Sequence, residues 1–172
     1  MRKQILACVF VALFAIMANS NATYAAVNTA YGGMLQWTSG QVTLSSTNVW
    51  YDVPNLNTTI TVKKQSLWRV SANVRYRYIP INSGDYCSTR FQILVDGKVQ
   101  NLVGVVFDPS GSGSMDEFNN HANVDALVVL PAGKHTVKVQ ALKWGAASNS
   151  HIDIFADMNG YSNLIWHKVS DL

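Results

Sequence analysis

Glutamate is what this chain has least of. Glu117 is the single glutamate, and charged residues make up 13% of the 172, about half of the usual quarter. Long solvated helices draw on alternating Glu and Lys, so this composition argues against them. Cysteine is nearly missing too, with Cys8 and Cys87 alone. Cys8 falls in an N-terminal leader, which leaves Cys87 either as an incidental thiol near a loop or as a bond between subunits, and rules out a disulfide framework within the domain. The longest apolar run, Ile5 to Met17, covers 13 residues, short of the about 20 that a spanning helix requires. Basic residues form no run and are almost balanced by acids, which removes the electrostatic footprint of a nucleic-acid binder. His121, His135, His151 and His167 stand singly without H-x-x-x-H or H-x-H spacing, and no serine sits in a G-x-S-x-G elbow. Zinc and nucleophile-elbow chemistry therefore lack their motifs.

What is present begins with a leader. Arg2 and Lys3, the apolar run and the small residues up to Ala25 have the order of a secretory signal peptide. Cleavage after Ala25, or alternatively after Ala22, is expected to release a secreted or extracellular product, or a periplasmic one in a Gram-negative cell. Residues 26–172, 172 minus 25 or 147 in all, suit one domain with a real core. Loss of Arg2 and Lys3 lowers the basic count from 13 to 11 against 10 acids, a net of +1.

The mature chain reads as strands. From Trp68 to Tyr78 the even positions are Trp68, Val70, Ala72, Val74, Tyr76 and Tyr78, with Arg69, Ser71, Asn73, Arg75 and Arg77 between them. A period of two puts one set inside and the other in water. Asp96–Gly97 predicts a type I′ hairpin. Two more hairpins are expected, one at Pro131–Lys134 and one at Asn159–Gly160, while Pro54, Asn55 and Asn57 mark a turn. From Val124 to Leu130 the even positions are apolar, and Leu127 and Val129 make the opposite face apolar too, which asks for cover on both faces.

In order, WYDVPNLNTTITV, FQILVDGK, LPAGKHTVKVQ and NLIWHKVSDL give a succession that resembles the head domains of the C1q and tumour necrosis factor superfamily, including the jelly-roll heads of bacterial and phage fibres. The resemblance runs from about Leu35 to Leu172. It implies an all-β antiparallel sandwich, a C1q/TNF-like jelly roll of about ten strands, assembled as a homotrimer through an apolar, aromatic face. Trp50, Tyr51, Trp68, Tyr76, Tyr78, Trp144, Tyr161 and Trp166 supply material for that face or for a carbohydrate platform, and equally for the single core.

Two sets of residues are candidate sites. Arg69, Asn73, Arg75 and Arg77 share a strand face and offer charge-assisted hydrogen bonds to a carboxylate or an anionic sugar. Asp108, Asp116 and Glu117, in the loop DPSGSGSMDEFNN, are oxygen donors of the kind calcium takes, although the EF-hand order is missing. No other cofactor is expected. The function expected is a secreted, non-catalytic interaction or adhesion module that binds a glycan or protein partner. A polysaccharide-active enzyme and a structural subunit of a surface appendage are the alternatives.

Overall fold

The structure is a computed structural model that describes residues 24–29, 31–79, 87–107, 118–146, 151–156 and 161–172. Most of the expected leader, the proposed calcium residues Asp108, Asp116 and Glu117, and the Asn159–Gly160 turn lie outside the described residues.

Eleven strands fill the described chain: β1 (Tyr24–Thr29), β2 (Gly32–Trp37), β3 (Gly40–Leu44), β4 (Trp50–Val62), β5 (Ser66–Ile79), β6 (Cys87–Val95), β7 (Lys98–Phe107), β8 (Phe118–Leu130), β9 (Gly133–Ala146), β10 (His151–Ala156) and β11 (Ser162–Asp171). They form two antiparallel sheets. One has seven strands in the order β1-β2-β11-β5-β10-β3, with β8 along the other edge of β5, and the second runs β4-β9-β6-β7. The pairs β6–β7, β5–β8, β4–β9, β3–β10 and β2–β11 nest inside one another. One long antiparallel hairpin rolled up on itself is a jelly roll, the architecture expected.

Alternation explains the core. In β5 the even side chains Trp68, Val70, Val74, Tyr76 and Tyr78 are buried at 5% exposure or less, each aliphatic one contributing about 2 kcal/mol. Facing them from the four-stranded sheet are Phe91, Ile93, Val137, Val139 and Ala141, and the Tyr76 and Phe91 rings meet at 5.4 Å. Trp37, Trp68 and Trp166 are buried as well. The core thus takes most of the aromatics that an aromatic interface would need, leaving Tyr31, Trp144 and Tyr161 exposed among the described residues.

Local turn signals are fulfilled unevenly. Asp96 and Gly97 take φ of 50° and 76°, and β6 and β7 pair across them, so this hairpin forms as read. β8 and β9 do not pair. The Pro131–Ala132 corner carries the chain from one sheet to the other, so β8 lies on β5 while β9 lies between β4 and β6. Likewise β10 and β11 occupy successive stretches along one edge of β5 instead of pairing with each other. Pro54 and Asn55 do not divide two strands; they sit in a bulge within β4, where the register shifts between Asp52 and Asn57 and Asn55 adopts φ of 60°. At the other end, Tyr24 to Ala26 of β1 pair with Gln36 to Met34, so cleavage after Ala25 would keep only Ala26–Thr29 of this strand.

Candidate functional site

The odd positions of β5 do line the outer face of the seven-stranded sheet, and there each is tied to a neighbour that the sequence pattern did not reveal. Arg69 grips Asp125 of β8 from two nitrogens, Nε at 2.9 Å and Nη2 at 2.6 Å, while Ser71 Oγ donates to the same carboxylate at 2.7 Å. The Arg69 and Ser71 hydrogen bonds hold the Asp125 carboxyl below the usual range. Asn73 donates to Asn123 at 2.7 Å and shares its Oδ1 with His121 Nδ1 at 2.7 Å. Burial, aided by the Arg75 charge, pushes the His121 pKa down. Arg77 Nε donates to Asp153 at 2.9 Å and Arg77 Nη2 to Gln41 at 2.9 Å. Arg75 and Arg77 both lie over the Phe155 ring, at 4.3 and 5.1 Å. The four sequence-derived residues therefore share a face, but with Arg69 and Arg77 in ion pairs, Asn73 in an amide ladder and Arg75 over the Phe155 ring. A shallow depression of about 360 Å³ opens between Arg69, Ser71, Asn73, Asn123, Asn163 and Ile165.

The outer face of the four-stranded sheet holds a cluster the sequence reading missed. β6 and β9 pair Arg90 with Leu142, Gln92 with Gln140 and Ser88 with Trp144. Trp50 of β4 lies opposite Leu142, and Gly104 of β7 opposite Arg90. The Arg90 guanidinium sits 3.5 Å above the Trp144 ring, which is 43% exposed. Beside it runs a hydrogen-bonded row: Gln92 Nε2 donates to Gln140 at 2.8 Å, Gln140 Nε2 to Asp52 at 2.6 Å, and Lys138 Nζ to Asp52 at 2.9 Å. The Lys138 bond, with Gln140 assisting, holds the Asp52 carboxyl below its ordinary value. The sequence signal was there in part, since Arg90 and Gln92 alternate with Phe91 and Ile93 as Lys138 and Gln140 do with Val139 and Ala141.

A third polar arrangement joins two turns. His135 is 7% exposed; its Nδ1 lies 2.7 Å from Asp96 Oδ2 and its Nε2 2.9 Å from the Pro131 carbonyl. Asp96 Oδ1 also accepts from Thr136 N at 2.8 Å. Burial lowers the His135 pKa, but the bonds to Asp96 and Pro131 and the Asp96 charge together more than reverse this and raise it.

Each aspartate among the described residues has a basic partner: Asp52 with Lys138, Asp96 with His135, Asp125 with Arg69, Asp153 with Arg77, and Asp171 with Lys64 and Lys168. Also among the described residues, no group of three or more His, Cys, Asp or Glu is placed to hold a metal, and no helix is long and apolar enough to cross a membrane.

No family model matches this sequence, and no curated protein does. Among solved structures, the chain is similar to the Eiger tumour necrosis factor of S. frugiperda, at 14% identity and a TM-score of 0.38, over 81% of this chain and 93% of that one. It is also similar to part of a β-glucosidase from Paenibacillus barengoltzii, at 11% identity and a TM-score of 0.33, over 80% of this chain and 12% of that one.

Proposed function

We propose that this chain is an exported, non-catalytic jelly-roll interaction module, with Met1–Ala25 as its leader, that binds a glycan or protein partner and assembles as a homotrimer. The carrying observation is the outer face of the seven-stranded sheet. Leu127, Val129 and Ile165 are exposed there at 64%, 49% and 38%, among the Arg69–Asp125 pair and the Asn73–Asn123 amides. β8, the outermost strand on that side, carries the aliphatic side chains on its water-facing positions that the sequence says need cover. Aliphatic groups interspersed with satisfied polar pairs make a surface suited to a second copy of itself.

The pairing of every described aspartate supports a non-catalytic role. A general acid requires a carboxyl whose pKa is raised, whereas those of Asp52, Asp96, Asp125 and Asp171 are all lowered by their partners.

Light scattering on residues 26–172 tests the reading. A mass near three protomers is expected, falling to one in Leu127→Asp/Val129→Asp while the far-ultraviolet circular dichroism stays unchanged. A wild-type monomer at every accessible concentration would overturn the assembly.

A further inference from the structure

The geometry points to the outer face of the four-stranded sheet, and not to the arginine row of β5, as a binding site for a carboxylated sugar, with Arg90 and Trp144 at its centre. The inference rests on the glycan-binding reading above and narrows it to one face and one ligand class.

Arginines elsewhere on the described surface have their guanidinium groups committed. Arg69 holds Asp125 and Arg77 holds Asp153, and Arg75 has a further partner besides the Phe155 ring it lies over. Arg90 differs: among the described residues it has no carboxylate partner, and its contact is with the face of Trp144 at 3.5 Å. Stacking spends the flat face of a guanidinium and leaves its edge donors available. A planar fork with open donors is the group that binds a carboxylate bidentately.

Three neighbouring features fit a sugar ring around that carboxylate. Trp144 keeps 43% of its surface exposed despite the guanidinium above it, giving an amphipathic ring against which sugar C–H groups pack. The row Gln92–Gln140–Asp52–Lys138 is fixed by its own hydrogen bonds, so its amides are oriented in advance for hydroxyl groups and its acid is already neutralised. Gly104 lies directly opposite Arg90, and a β-carbon there would meet nothing within 4 Å; the missing side chain leaves the approach to Arg90 clear from the β7 side. Trp50, two strands away in the same row and so about 10 Å from Arg90, bounds the platform on the far side.

The test is titration of residues 26–172 with hexagalacturonate, followed by tryptophan fluorescence and calorimetry, alongside its methyl ester and the neutral maltohexaose. The acid form is expected to bind, with both controls bound at least tenfold more weakly. Arg90→Ala should lose on the order of ten- to a hundredfold in affinity, the range for a lost hydrogen bond to a charged group, and Trp144→Ala should also weaken binding through the lost ring packing. Arg90→Lys, which keeps the charge and loses the fork, should recover only part of it. Arg69→Ala should bind as wild type. Equal binding by wild type and Arg90→Ala, or loss in Arg69→Ala instead, overturns this site while leaving a glycan-binding module in place. No binding of hexagalacturonate, of hexaguluronate or of sialyllactose overturns the carboxylated-sugar class. The light-scattering mass stands or falls separately from all of these.

Discussion

The His135 clasp makes a prediction whose sign and size follow from geometry. Both ring nitrogens face oxygens that only accept, the Asp96 carboxylate at 2.7 Å and the Pro131 carbonyl at 2.9 Å. Only the doubly protonated ring donates to both; the neutral ring sets a lone pair against one of them. The folded His135 pKa is accordingly raised, so its contribution is fully present below the unfolded value of about 6.5 and is lost as pH rises through the folded pKa. Asp96 behaves oppositely. Its folded pKa is lowered, chiefly by the His135 hydrogen bond, so its contribution is present above about 3.9 and is lost as pH falls through the folded value. The clasp is complete between about pH 4 and 6.5. A hydrogen bond to a charged group contributes about 1.5–3 kcal/mol, but the Asp96 side chain is 47% exposed, and screening reduces the figure to about 1 kcal/mol. For a chain of this length that is about 2–4 °C in Tm. The perturbation is Asp96→Asn, since Asn tolerates the positive φ of the turn. Thermal melts of both proteins at pH 5.5 and 8.5 form the assay. The difference between wild type and variant should shrink at pH 8.5 by about the amount given. Subtraction is needed because His121, with its pKa lowered, has the opposite slope: its contribution is present above about 6.5 and is lost on acidification. A variant that retains the whole pH dependence of the wild type would refute the protonated clasp.

Three further outcomes are expected. Arg77→Ala should destabilise the fold by about 3 kcal/mol in urea titration, because it strands the Asp153 carboxylate, whose side chain is 1% exposed, without its cation; a loss below about 1 kcal/mol would show that Thr43, which donates to Asp153 at 2.6 Å, suffices. Gly33→Ala places a β-carbon 2.8 Å from Cε2 of the buried Trp166 indole, and overpacking of that kind should lower stability by about 1–3 kcal/mol, read from the same titration. Val139→Asp sets a charge at a position with 0% exposure and should abolish the cooperative near-ultraviolet transition.

The strands were legible where burial is one-sided. β5 announces itself because its even residues enter the core and its odd residues do not, and the Asp96–Gly97 hairpin because both residues accept positive φ. Pro131–Ala132 and the β10–β11 connection show the limit of such reading: a turn signal reports that the chain changes direction, while the choice between pairing and crossing to the other sheet depends on distant strands. The same limit applies to the surface. Arg69, Arg75 and Arg77 were placed correctly on one face, yet Asp125, Asp153 and Phe155 reach them only through the pairings of β5 with β8 and β10. Arg90 and Trp144 meet because β6 lies on β9, a fact that no local pattern around either residue contains.

The nesting of the strand pairs has a consequence for how the chain acquires its shape during synthesis. Val95 pairs with Lys98, Ser66 with Leu130, Val62 with Gly133, Leu44 with Ile152 and Trp37 with Ser162, so each successive pair straddles the Asp96–Gly97 turn at a greater distance along the chain. An emerging polypeptide therefore has almost none of the partners for its first half until its second half is made, and contacts so far apart in sequence close slowly. β2 to β5 stay without these partners longest, which keeps the chain threadable late into translation and makes the Asp96–Gly97 turn the point from which the ladder closes outward.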